Sequence, residues 1–128
     1  NSKFKDIRMK VMIADDSKII RSRMKDLLSE YNGVKDFLET DSGAGAVRVL
    51  EENNPEILIL DLSMPEGGGF HVLDYISRQK RSILTIVLTN YTSEEYQLRC
   101  KGFGVKYFYD KSSEFMKVCE IIQEKNQL

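Results

Sequence analysis

The chain predicts an α/β domain built on a doubly wound, five-stranded parallel sheet, because five short apolar runs alternate with five segments of helical period along its 128 residues. Central strands of such a sheet are covered on both faces, and the first, third and fourth runs read as continuous apolar stretches. The second and fifth are mixed in polarity, which suits edges. Alternation of strand and helix makes right-handed crossovers the rule. A strand order of 2-1-3-4-5 would set strands one and three side by side at the switch point, where sheets of this kind bind ligands.

The elements follow in order. Residues 1–8 read as an N-terminal extension or as added residues, since Met9 has the look of a natural start, and the core of a single domain runs from about 9 to 123. Strand one spans Met9 to Ala14. Ile20, Met24, Leu27, Leu28 and Tyr31 then recur at helical spacing and mark the inner face of a first helix, capped by Ser17 and closed by Asn32-Gly33. Strand two is Asp36 to Thr40 and strand three Glu56 to Leu60, with a helical segment between them. Glu66-Gly67-Gly68-Gly69 reads as a flexible loop ahead of a third helix that carries His71. Arg78-Gln79-Lys80-Arg81 follows it as a solvated helix end. Strand four is Ile83 to Thr89. Thr92 to Lys101 has the weakest apolar stripe, with only Tyr96 and Cys100 on one face, so an exposed or mobile helix is expected there. Strand five runs from Val105 to Tyr109, and Phe115, Val118, Cys119 and Ile122 line a last helix that Ser112 or Ser113 could cap.

Composition excludes several classes of function. Lys and Arg (19) nearly cancel Asp and Glu (20), a formal net charge of -1, so bulk charge gives no attraction to nucleic acid or anionic lipid. Neither a signal peptide nor a long apolar span is present, and a cytoplasmic setting is expected. Cys100 and Cys119 have no metal-type spacing and read as small buried hydrophobes. His71, the sole histidine, reads as a surface or half-buried structural residue.

The chemistry sits at the strand ends. Asp15 and Asp16 follow strand one and Asp61 follows strand three. On neighbouring parallel strands they would share one pocket, where like charges resist joint ionisation unless a cation lies among them. An oxygen-only set points to a hard divalent ion, Mg²⁺ before Zn²⁺. Strand four adds the Thr89 hydroxyl and strand five the Lys111 ammonium, so the same edge could hold a phosphoryl group that Asp61 attacks to form an acyl phosphate. Taken singly, each residue has a plainer explanation: a helix-start pair for Asp15 and Asp16, a turn acid before Pro65 for Asp61, a strand-end threonine for Thr89. Together they leave coincidence little room.

On these residues the chain resembles the receiver domains of two-component response regulators. The matching pieces are Asp15-Asp16, Asp61 followed by Met64-Pro65, Thr89 and Lys111, in order and at domain-appropriate spacing. The resemblance implies the flavodoxin-like receiver fold with five helices, and Asp61 as phosphoacceptor from a histidine kinase or a phosphotransfer protein. It implies Mg²⁺, or Mn²⁺, held by Asp16, Asp61 and the Ser63 carbonyl, with Asp15 acting through water. Lys111 and Thr89 would bind phosphoryl oxygens, and Phe108 would change rotamer as Thr89 moves, although a static core aromatic would look the same in the sequence. The face of helix four, strand five and helix five would then alter its preference for a downstream partner or an attached effector domain. Such a domain is a signalling module with autocatalytic phosphotransfer and self-dephosphorylation rather than a metabolic enzyme, and needs no direct contact with nucleic acid or membrane.

Departures sharpen these expectations. Many receivers follow the lysine with a cis proline; here Ser112 stands there, and a cis bond without proline costs about 3 kcal/mol, so a trans peptide is expected. Ser63 and Tyr91 occupy the two positions that tune phosphoryl lifetime in the family, and the bulk of Tyr91 is expected to slow hydrolysis. A phosphatase of the haloacid dehalogenase type would need a second aspartate where Ser63 lies. A flavodoxin-like cofactor binder would not set Asp15-Asp16 against its phosphate. The remaining alternative is a receiver-like interaction module that works without phosphorylation.

Overall fold

The computed structural model describes residues 9–126, and within them strand and helix alternate from end to end. The elements are β1 (Lys10–Ala14), α1 (Lys18–Asn32), β2 (Asp36–Thr40), α2 (Gly43–Glu52), β3 (Ile57–Leu60), α3 (Gly68–Arg78), β4 (Leu84–Thr89), α4 (Glu94–Gly102), β5 (Tyr107–Asp110) and α5 (Lys117–Asn126). All strand pairs are parallel and the sheet order is β2-β1-β3-β4-β5. This is the doubly wound, five-helix arrangement the sequence predicts, with the mixed runs at the edges.

Period-two alternation divides the core between the two faces of the sheet. Val11, Ile13, Ile57, Ile59, Ile86 and Leu88 pack on one side with Met24 and Leu28 of α1 and Val118 and Ile122 of α5. Met12, Leu58, Leu60 and Val87 pack on the other with Ala46 and Leu50 of α2, Val72 and Ile76 of α3, and Cys100 of α4. Each fully buried large aliphatic side chain contributes roughly 1.5–3 kcal/mol. Both cysteines are buried free thiols, and burial pushes Cys100 up to about 11, which suits hydrophobic filling rather than redox chemistry.

Local chemistry sets the helix ends. The Ser17 hydroxyl accepts from the Ile20 N–H, and Gly33, at a φ of 69°, closes α1 by donating to the Ser29 carbonyl while Val34 donates to that of Leu28. α4 buries only Cys100, as its weak stripe predicts, and is held from outside by aromatics: Phe70 of α3 meets Tyr96 at 5.8 Å and Phe103 at 6.5 Å, with the Arg99 guanidinium 3.7 Å from the Phe70 ring centre.

Five expectations need correction. Tyr31 lies outside the buried face of α1, 62 % exposed, because the buried line runs through Met24, Leu28 and Asn32 and in the last turn it is Asn32 that faces inward, bonding the Cys119 carbonyl. β5 begins at Tyr107, not Val105, since the Val105 N–H is committed to the Cys100 carbonyl in closing α4. Neither Ser112 nor Ser113 caps α5: the chain first makes a turn in which Glu114 accepts from the Asp110 N–H, and the helix starts at Lys117. Phe115 therefore precedes the helix, though it still packs on the core. Arg81 is not a solvated helix end; its guanidinium binds the carbonyls of Leu50 and Asn53 and the Asn54 side chain, closing the C-terminal end of α2.

The fifth correction concerns Glu66-Gly67-Gly68-Gly69, which is a packed junction and not a flexible loop. Glu66, Gly67 and Gly68 have φ of 56°, 100° and 66°, and Gly68 and Gly69 are buried in the first turn of α3. A Cβ on Gly69 would lie 2.6 Å from the Asp61 carbonyl oxygen, and one on Gly43 would lie 2.5 Å from that of Glu66. Glycine here permits contact between backbones.

Two substitutions check this packing by urea denaturation. Leu58→Ala, deep in the sheet, is expected to cost about 2–5 kcal/mol. Gly69→Ala, though it removes nothing, is expected to cost about 1–3 kcal/mol because backbone must move to admit the methyl group.

Candidate functional site

Register brings the acids together. Ala14 pairs with Leu60, so the residues that follow, Asp15 and Asp61, leave the sheet side by side. The exit is fixed by backbone bonds, from the Asp15 N–H to the Thr40 carbonyl (3.1 Å) and from the Asp61 N–H to the Ala14 carbonyl (2.9 Å). Asp15 and Asp61 are buried, at 3 % and 4 % exposure, whereas Asp16 is exposed. One carboxylate oxygen from each of the three lies within 4.8 Å of the others.

Lys111 completes the group from the end of β5. Its Nζ lies 2.6 Å from Asp15 Oδ2 and 2.8 Å from Asp61 Oδ2. The Lys111 N–H donates to the Thr89 carbonyl at 2.9 Å, which ties the ends of β4 and β5. The other carboxylate oxygens accept backbone hydrogens: Asp15 Oδ1 from Ser17 at 2.8 Å and Asp61 Oδ1 from Ser63 at 3.2 Å. Each acid thereby caps its own loop with one oxygen and holds the ammonium with the other.

Burial is the largest influence on Asp15 and raises its pKa, outweighing the Lys111 ammonium and the Ser17 N–H, which favour the charged form. For Lys111 burial opposes the charge, but its bonds to Asp15 and Asp61 together win and hold its pKa above the ordinary value. Three clustered carboxylates with no nitrogen or sulfur donor suit a hard divalent cation such as Mg²⁺, with the Asp16 side chain on the solvent side.

Thr89 is fully buried at the end of β4, and its hydroxyl accepts from the Tyr91 N–H at 3.2 Å. Tyr91 is half-exposed and meets Tyr96 of α4 edge-on at 6.2 Å. Phe108 is half-buried against the α3 and α4 side of the sheet, opposite Val87. Ser63 is exposed in the loop after Asp61, and His71 is exposed on α3. No cis peptide occurs among the described residues, so Lys111-Ser112 is trans as expected.

Arg21 is the residue the sequence reading missed. Its Nη1 donates to the Asp15 carbonyl at 2.6 Å while its Nε pairs with Glu39 at 3.0 Å, bracing the acid loop against β2. Lys25 joins the same carboxylate at 2.6 Å, and these partners, Lys25 foremost, hold the Glu39 carboxyl below its usual range. The available signal was position: Arg21 lies one turn after the Ser17 cap, where a long side chain points back toward the helix start.

Residues 11–123 match the response regulator receiver domain family. The chain is 31 % identical over 106 residues to the uncharacterized transcriptional regulatory protein YhcZ of Bacillus subtilis, covering 83 % of this chain and 50 % of that protein. It is 34 % identical over 110 residues to the transcriptional regulatory protein YdfI of the same organism, covering 82 % and 50 %. It thus spans about half the length of the curated relatives it matches. A crystal structure of a DNA-binding response regulator of the LuxR family from Staphylococcus aureus superposes with a TM-score of 0.80 at 28 % identity, over 92 % of this chain and 98 % of that one.

The raised pKa of Asp15 has a definite sign for stability. A carboxyl that holds its proton more tightly when folded than when unfolded costs stability at neutral pH, and the cost fades as pH falls through its folded-state pKa. Asp15→Asn is therefore expected to raise the urea midpoint at pH 7 in metal-free buffer. The gain should shrink toward zero as Asp15 of the wild type becomes protonated.

Proposed function

The chain belongs to the response regulator receiver family, and from that premise we propose that it accepts a phosphoryl group on Asp61, with Mg²⁺ held by Asp16, Asp61 and the Ser63 carbonyl and with Asp15 acting through water. The observation that carries this reading is the contact of one ammonium, Lys111, with both buried carboxylates. The donor is a histidine kinase's or phosphotransfer protein's phosphohistidine, or a small acyl phosphate.

A carboxylate oxygen of Asp61 attacks phosphorus as the bond to the donor's nitrogen breaks, and that bond's electron pair leaves with the imidazole. Mg²⁺, when bound, supplies charge that offsets the phosphoryl oxygens and the neighbouring acids. Lys111 exchanges its bond to Asp61 Oδ2 for one to a phosphoryl oxygen, needing little movement from its present position. The Thr89 hydroxyl, now occupied by the Tyr91 N–H, turns to another of those oxygens. Phe108 then moves into space Thr89 vacates, and the face of α4, β5 and α5 changes its fit to an effector. Leu98 and Tyr91, 60 % and 50 % exposed, lie where that face meets solvent.

Kinship with transcriptional regulatory proteins supports a cytoplasmic setting and an output through an effector domain or partner protein, with catalysis limited to self-phosphorylation and self-dephosphorylation. Among the described residues no helix is long and apolar enough to cross a membrane. The alternative, docking without phosphorylation, is separated from this reading by one measurement. After incubation with Mg²⁺ and acetyl phosphate, intact mass should show a phosphoryl adduct in wild type and none in Asp61→Asn; an adduct of equal size in both would remove Asp61 as acceptor.

Tyr91 is proposed to shield the phosphoryl group from water. Phosphoryl decay in Tyr91→Ala is expected to accelerate about 3- to 10-fold, a barrier change on the order of 1 kcal/mol; unchanged or slower decay would assign the ring to packing on Tyr96.

A further inference from the structure

Two loops leave the sheet at the ends of β4 and β5, and one side-chain bond crosses between them: Ser112 Oγ donates to Asn90 Oδ1 at 3.2 Å. Its position gives it meaning. Asn90 directly follows Thr89, and Ser112 directly follows Lys111, so the bond links the neighbours of the two candidate site residues at the ends of these strands. A second tie runs beside it, from the Lys111 N–H to the Thr89 carbonyl at 2.9 Å. Ser112 is itself oriented by the loop, since its N–H donates to Asp110 Oδ1 at 2.8 Å, and Asp110 is in turn bonded through its N–H to Glu114 at 2.9 Å.

We propose that Asn90 and Ser112 are a pair of positioning residues that keep the loops after β4 and β5 in one register, so that Lys111 and Thr89 address Asp61 as a unit. The inference rests on the phosphoacceptor reading for its catalytic consequence. Neither residue touches the reacting atoms. The Lys111 side chain is long and flexible, and ordering it costs rotamer freedom. Fixing its backbone lets the ammonium reach Asp15 and Asp61 without each encounter having to order the loop anew. The same bond sets a condition on Thr89: a shift of its hydroxyl toward Asp61 displaces Asn90, so Ser112 either follows or lets go. Effects of removing either partner should therefore be shared rather than additive.

Three variants, Asn90→Ala, Ser112→Ala and the double substitution, together with Ser112→Thr as the hydroxyl-conserving control, decide the question by two measurements. Amide hydrogen exchange reads the latch without phosphate: protection of the Lys111 N–H should fall about 3- to 10-fold in each single variant and no further in the double, recover in Ser112→Thr, and stay constant at Ile59 and Val87. The rate of adduct formation against acetyl phosphate concentration reads the consequence: the maximal rate should drop by a similar factor with the half-saturating concentration little changed. Unchanged Lys111 protection, multiplicative effects in the double variant, or an unaltered maximal rate in a wild type that does form the adduct would overturn the proposal. A wild type that forms no adduct would instead remove the phosphoacceptor reading.

Discussion

A single ammonium held between two buried carboxylates is the interaction on which the functional edge of this fold depends. Lys111 reaches Asp15 and Asp61 from the far end of β5, two strands away from the nearer of them, so the contact exists only if β3, β4 and β5 are in register and their ends level. Removing the ammonium from this group leaves two carboxylates buried without compensation, a penalty of several kcal/mol. Each acid also caps its own loop through its second oxygen, so loop geometry and charge balance cannot be altered separately. Even so, burial still raises the pKa of Asp15. Three carboxylate oxygens within 4.8 Å of one another, one of them on exposed Asp16, suit a further cation.

The sheet and its order were legible in the sequence because both depend on signals that act over a few residues. Apolar runs at Val11, Ile57 and Ile86 can only be central strands, and the polar interruptions in β2 and β5 can only be edges. The residues at the strand ends were legible for the same reason, since an acid directly after a buried strand is costly and calls for an explanation. What escaped was anything set by side chains reaching between elements. Arg21 bracing the Asp15 carbonyl and Arg81 closing α2 look, in sequence, like ordinary charges on helix ends. The start of α5 escaped because Glu114, four residues after Asp110, captures the Asp110 N–H and delays the helix beyond both candidate serine caps. The glycine run was misjudged because permissive φ and intimate packing call for the same residue; the sequence shows the glycines but not which use is made of them.

The two sides of the molecule are held by different forces. α1 and α5 rest on an aliphatic layer of Met24, Leu28, Val118 and Ile122, and α2 and α3 meet through backbone contact at Gly43 and Gly68. α4 has neither. It is fastened by Phe70, Tyr96, Phe103 and the Arg99 guanidinium, contacts made by large planar groups at its exposed flank. Such contacts contribute about a kcal/mol apiece and can be remade after a small rotation, whereas interdigitated aliphatic layers resist sliding. If the sheet edge changes state, α4 is the element with least to lose by following.

The glycines at 67–69 set the converse limit. The first turn of α3 lies directly on the carbonyl of Asp61, and α2 meets the same junction through Gly43, each in close backbone contact. A lever needs a fixed point as well as a moving arm. The glycine contact would serve as that fixed point for the movement proposed above, leaving the β4, α4 and β5 side as the arm.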